Sequence, residues 1–186
     1  SMRLQLYSDY EAMDHDPIIA AALDIISDET TNRNEYGDIL NIQSSDENVR
    51  KVLHNLFYDV LNVEFNLSTW IRNMCKYGDM YLKMEVSEKF GVYNVIPLSV
   101  YEVVREEGTD PENPSYVRFT MDPNGLASGA TNTIRRDQFS LENYEVAHFR
   151  LLTDSNYLPY GRSYLEPSRK VFKQLMLMED AMLIHR

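Results

Sequence analysis

Hydrophobic positions along the chain change period three times. Residues 3–15 are polar and tyrosine-containing, with no helical or strand period strong enough to stand out, and read as an extended arm. Asp16-Pro17 then reads as an N-cap followed by the first helical position, where a missing N–H does least harm. Ile18, Ala22 and Ile25, with Ile19, Leu23 and Ile26, predict a broad helical face ending near Thr30. The polar stretch 30–38 closes on Tyr36-Gly37-Asp38, a turn, and Ile39, Leu40 and Ile42 suggest a short strand. Ser44 and Glu47 have capping-box spacing ahead of Val49, Val52, Leu53, Leu56, Phe57, Val60 and Leu61, the clearest amphipathic helix in the chain. Asn66 is the expected cap of a third helix, with Leu67, Trp70, Ile71, Met74 and Cys75 inside and Gly78 as its left-handed stop.

After Gly78 the period drops to two. Met80, Leu82, Met84 and Val86 alternate with Tyr81, Lys83 and Glu85, a turn follows at 88–91, and 92–97 returns as the second arm of a hairpin. Further strands are expected at 100–105, 116–121 and 146–151, with a turn at Asp122-Pro123-Asn124-Gly125 and a brief pairing at 134–137. The helical period resumes at the end. Ser163 and Glu166 again have capping-box spacing, Pro167 suits a first turn, and Val171, Leu175, Met178 and Met182 form one stripe at i, i+4, i+7 and i+11. Phe172, Met176, Leu177, Leu183 and Ile184 lie off that stripe, so this helix is expected to pack on its own domain and on a partner. It reaches Arg186 without a stop signal, which reads as a helix cut within a longer protein. The predicted class is α+β: a helical part over 3–78, a β-rich part with one small, mostly antiparallel sheet over 79–151, and a long helix over 163–186.

Composition narrows function by exclusion. The 186 residues carry 18 Lys and Arg against 29 Asp and Glu, a net charge of −11, which disfavours tight binding to duplex DNA or an anionic membrane. The single cysteine, Cys75, rules out an internal disulfide. No apolar run approaches the ~20 residues of a membrane-spanning helix. Asp14-His15-Asp16 has ligand-type residues, but adjacent ligands rarely converge on one ion and Asp16 already has a capping role; no metal is expected. His148 faces away from Phe149 on a strand, a polar residue on an open face or a bonded interface histidine. No phosphate loop, nucleophile elbow or spaced acid–base pair is present, so no catalytic residue, cofactor or metal is assigned.

Three stretches in order carry a resemblance. Residues 17–29 form an apolar helix ending in Asp28-Glu29. Lys76 to Met84 form a helix, Tyr-Gly-Asp and strand junction. His148-Phe149-Arg150 leads to Tyr160-Gly161-Arg162-Ser163, Leu165-Glu166-Pro167 and the final helix. The set resembles the portal vertex proteins of T-even-like contractile-tailed bacteriophages over most of the chain, middle loops excepted. The resemblance implies a wing region of a twelve-subunit ring at the capsid vertex. DNA would pass through the ring without sequence-specific contact, driven by a separate terminase. Further implied partners are capsid and scaffold proteins, the terminase large subunit and neck proteins. Implied locations are the virion and, during assembly, the host cytoplasm. Candidate subunit contacts are Leu175, Met178, Met182 and Leu183, with Arg150 and Arg162 pairing with acids across the interface. Two alternatives are a generic intracellular interaction module and a small hydrolase using His148.

Overall fold

The computed structural model describes residues 2–121, 139–152 and 155–185. Among these described residues the architecture is α+β, with five α-helices and two small antiparallel sheets. The expected arm is instead a helix, α1 (Met2–Asp14), and it buries Tyr7, Tyr10 and Met13. Leu6, Tyr10 and Met13 do have i, i+4, i+7 spacing; the signal is hidden because tyrosine acts here as core, its ring inside and its hydroxyl bonded. Helix α2 (Pro17–Thr30) starts as expected, with the Asp16 carboxylate accepting from the N–H groups of Ile18 and Ile19.

Residues 39–42 do not form a strand. Glu64 accepts the Ile39 N–H and the Tyr58 hydroxyl donates to the Leu40 carbonyl, so side chains replace ladder partners. Helix α3 (Glu47–His54) is capped by Asp46 rather than by a Ser44–Glu47 box; Ser44 receives the Asp46 N–H and Glu47 binds Arg50. A π-helical segment, Asn55–Val60, extends α3, and neither piece has a fully buried residue. Asn62 (φ 46°) breaks the run in the left-handed region, which asparagine tolerates better than most residues. Helix α4 (Val63–Tyr77) therefore begins ahead of the expected Asn66 cap, and it stops as expected at Gly78, φ 86°.

Strands β1 (Asp79–Ser87) and β2 (Gly91–Leu98) form the expected hairpin, and β6 (Val146–Arg150) pairs on the other edge of β1. The remaining strands form a second sheet in place of the single one expected. It contains β3 (Val103–Glu107), shifted from the predicted 100–105, with β4 (Val117–Met121) and β5 (Phe139–Glu142), a strand the pattern did not suggest. The expected turn at 122–125 and pairing at 134–137 lie outside the described residues. The core runs from α1 and α4 through Tyr81 and Val146 of the first sheet to Val103, Phe119 and Leu141 of the second. Helix α5 (Glu166–Ile184) packs on this core through Phe172 and has no fully buried residue.

Candidate functional site

The two glycine-containing motifs, far apart in sequence, are in van der Waals contact. A Cβ on Gly161 would stand 1.9 Å from the Gly78 carbonyl oxygen, and one on Gly78 would stand 2.7 Å from backbone atoms of Arg162 and Ser163. Backbone hydrogen bonds stitch the crossing. Leu151 N–H donates to Gly78, Arg162 N–H to Leu151, and Tyr164 N–H to Cys75. Ser163 does not close a capping box with Glu166. Its hydroxyl donates to the Lys76 carbonyl at the end of α4, where helix carbonyls lack partners, and accepts the Leu165 N–H. Glu166 turns instead to Tyr10 and Arg169.

Asp79, the first residue of β1 and 1 % exposed, is the polar centre of this crossing. Its carboxylate accepts from the Tyr7 hydroxyl at 3.1 Å, the Gly161 N–H at 2.9 Å and His148 Nε2 at 2.8 Å. One side chain thus joins α1, the first sheet and the loop ahead of α5. Sequence reasoning carried Asp79 only as a member of the Tyr77-Gly78-Asp79 junction, with no role assigned, and did not single out Tyr7; an acid directly after a helix-stopping glycine, at the head of an apolar strand, was the available signal.

His148 is neither on an open face nor at an outer surface. Its side chain is 2 % exposed, stacked on Tyr81 and edge-on to Phe119. Arg105 Nη1 lies 3.2 Å from Nδ1. A guanidinium only donates, so Nδ1 accepts and Nε2 carries the proton given to Asp79. This neutral tautomer bridges the two sheets. Burial pushes His148 below its ordinary value of 6.5, against the opposing pull of Asp79 and with help from Arg105 and Arg150. Between the two values the unfolded chain binds a proton that the fold does not. Stability is therefore complete above about pH 6.5 and falls as pH drops through the lowered value. In urea unfolding from pH 7.5 to 5, His148→Gln is expected to lose most of that slope. Asp9, Asp14 and Glu166 sit below their ordinary 3.8, 3.8 and 4.5, so their stabilising effect is lost only at lower pH.

The other candidates are placed as follows. Asp14 binds Arg72 and Lys76 at 2.8 Å each, and His15 Nδ1 lies against the Glu11 carbonyl, so this triplet is spent on helix packing and capping. Cys75 is buried and burial raises its thiol, the state of an inert core residue. Arg150 binds the Pro159 carbonyl, and Arg162 lies 5.7 Å over the Tyr157 ring with further contacts inside the chain. Neither arginine is brought to the apolar stripe of α5.

That stripe is open. The first turns of α5 dock on α1: Asp9 binds Arg169 at 3.0 Å and Lys173 at 2.6 Å, and Phe172 packs on the core. Beyond them Val171, Leu175, Met178 and Met182 are 46–72 % exposed, as are Leu177, Leu183 and Ile184 at 69–82 %. Exposed apolar surface on this scale, concentrated on one element, is more than scattered surface hydrophobes account for.

A family-wide sequence profile, that of the bacteriophage T4-like portal protein (Gp20), matches residues 3–186. The chain belongs to that family. No curated protein matches it. The portal family is structural, and in this portal chain the buried His148–Asp79 pair is a strut between elements. Among the described residues no group of His, Cys, Asp or Glu is arranged to hold a metal ion, and no helix is long and apolar enough to cross a membrane.

Proposed function

We propose that this phage portal chain forms the wing region of a ring of identical subunits at the capsid vertex. DNA passes through this ring during packaging and ejection. The family match supports the portal assignment, and the resemblance in motif order supports the wing, the twelve-fold ring and the partners: capsid and scaffold proteins, terminase and neck. The observation that carries the assembly role is the uncovered stripe of α5. Leu175, Met178, Met182 and Leu183 are its subunit-contact residues. Arg150 and Arg162 act from inside the chain, by holding the loop from which α5 departs. The net charge of −11 suits a wall that does not retain passing DNA.

Electron microscopy of the intact portal protein tests this reading. Closed rings are expected, and only monomers at high concentration would sink it. Met178→Glu with Met182→Glu should cut ring yield about ten-fold or more, because each places a charge in a desolvated contact. Both positions are exposed in the single chain, so its stability should change by no more than about 0.5 kcal/mol. Normal ring yield would remove the α5 stripe from the interface.

A further inference from the structure

A second apolar helical face in this chain is also partly uncovered. Val49, Leu53, Leu56 and Val60, on α3 and its π-helical extension, fall at i, i+4, i+7 and i+11. This is the spacing of Val171, Leu175, Met178 and Met182 on α5. Val49, Val52, Phe57 and Val60 are exposed, Leu53 and Leu56 half-buried. Both faces present exposed side chains within one chain.

Given the ring assembly proposed above, on which this inference rests, we infer that the α5 stripe of one copy packs antiparallel on the α3 face of the next. Antiparallel alignment pairs Val171 with Val60, Leu175 with Leu56, Met178 with Leu53 and Met182 with Val49. Charge decides the direction. In this orientation Glu179 comes beside Arg50 and Lys170 comes near Asp59, each one residue off its stripe and so at the flank of the contact. The parallel alignment with the same stripe contacts sets Glu179 level with Phe57, about two turns from Arg50, and so loses that pairing. Antiparallel packing also brings opposite helix-end dipoles together.

Area is consistent with this contact. The four stripe residues of α5 offer on the order of 400 Å², about half of the ~800 Å² each partner contributes to a standard interface. Charged side chains flanking the α5 stripe add to its side of the contact. Two different surfaces meeting head to tail make a heterologous contact, the kind that closes rings; a self-complementary contact stops at a dimer.

Cysteine cross-linking tests the contact. Val49→Cys and Met182→Cys are co-expressed as single variants and mildly oxidised; Cys75, buried and with a raised thiol pKa, stays out of the reaction. Disulfide-linked dimers are expected only when both variants are present, and a ladder of higher oligomers from the double variant. Glu179→Lys should lower cross-link yield about three-fold or more at low salt, and Arg50→Glu on the Val49→Cys partner should restore it. Equal cross-linking by Met182→Cys alone would show that α5 pairs with itself and overturn the inference. So would no 49–182 link at all, or a yield indifferent to the charge reversal. If the intact protein forms rings while the link fails, the ring reading stands and this contact falls; if rings are absent, the ring reading has failed by its own test.

Discussion

Gly161→Ala is expected to destabilise the chain by about 4 kcal/mol or more, a fall in Tm of roughly 10 °C or beyond for a domain of this size. The added methyl would stand 1.9 Å from the Gly78 carbonyl oxygen and 2.8 Å from the Leu151 N–H nitrogen. Both are backbone atoms, and they are hydrogen-bonded to each other at 2.9 Å, so no flexible side chain can give way. Relief requires parting α4 and β1 from the loop that leads into α5. Backbone conformation is not the cause, because Gly161 does not occupy the left-handed region. Gly37 provides the contrast. It has φ +86° and nothing within 4 Å of a built Cβ, so Gly37→Ala should cost only about 1–2 kcal/mol from backbone strain. Thermal unfolding followed by circular dichroism checks both. A Gly161→Ala variant as stable as Gly37→Ala would mean that the two motifs do not pack as described.

Asp79→Ala should have the next largest effect, about 3 kcal/mol in urea unfolding. It strips the acceptor from the Tyr7 hydroxyl, the Gly161 N–H and His148 Nε2 at once, and each buried donor left without a partner costs about 1–3 kcal/mol. Removing a carboxylate that is itself 1 % exposed relieves some desolvation, so the sum is well short of three full penalties. Asp79→Asn keeps one acceptor oxygen and should lose less than half as much. The pH slope should change with it. Without the carboxylate, one opposing pull on His148 is gone, burial acts with less resistance, and acid destabilisation should be steeper in Asp79→Asn than in the parent. If Asp79→Ala is as stable as the parent, the buried centre is not what ties α1, β1 and the α5 loop together.

These two residues also show how far reading the sequence could go. Gly78 was legible as a helix stop, since a left-handed residue at the end of an apolar helical run has a local cause. Gly161 was legible only as part of a motif. Its need for glycine comes from Gly78 across the crossing, and no local pattern encodes that approach. Capping shows the same division. Asp16-Pro17 acts as read, whereas Ser163 and Glu166, with the spacing of a capping box, are recruited by Lys76 and Tyr10 from elsewhere in the chain. His148 was correctly oriented away from Phe149 by strand alternation, but the second sheet that buries it is a non-local fact.

By itself, then, the sequence determined what short-range physics controls. It specified the helices from Pro17 to Thr30 and up to Gly78, the β1–β2 hairpin, the stripe of α5, the α+β class, and the motif order shared with phage portal proteins. Only the tertiary structure decided that the tyrosine-rich start is a core helix, that the strands divide into two sheets, and that Asp79, His148 and Gly161 converge. It also decided that the α5 stripe remains uncovered. The reason is the range of the interactions. Caps, turns and periodicity act within a few residues, while close backbone approach, burial of polar groups and the covering of an apolar face depend on segments brought together from distant parts of the chain.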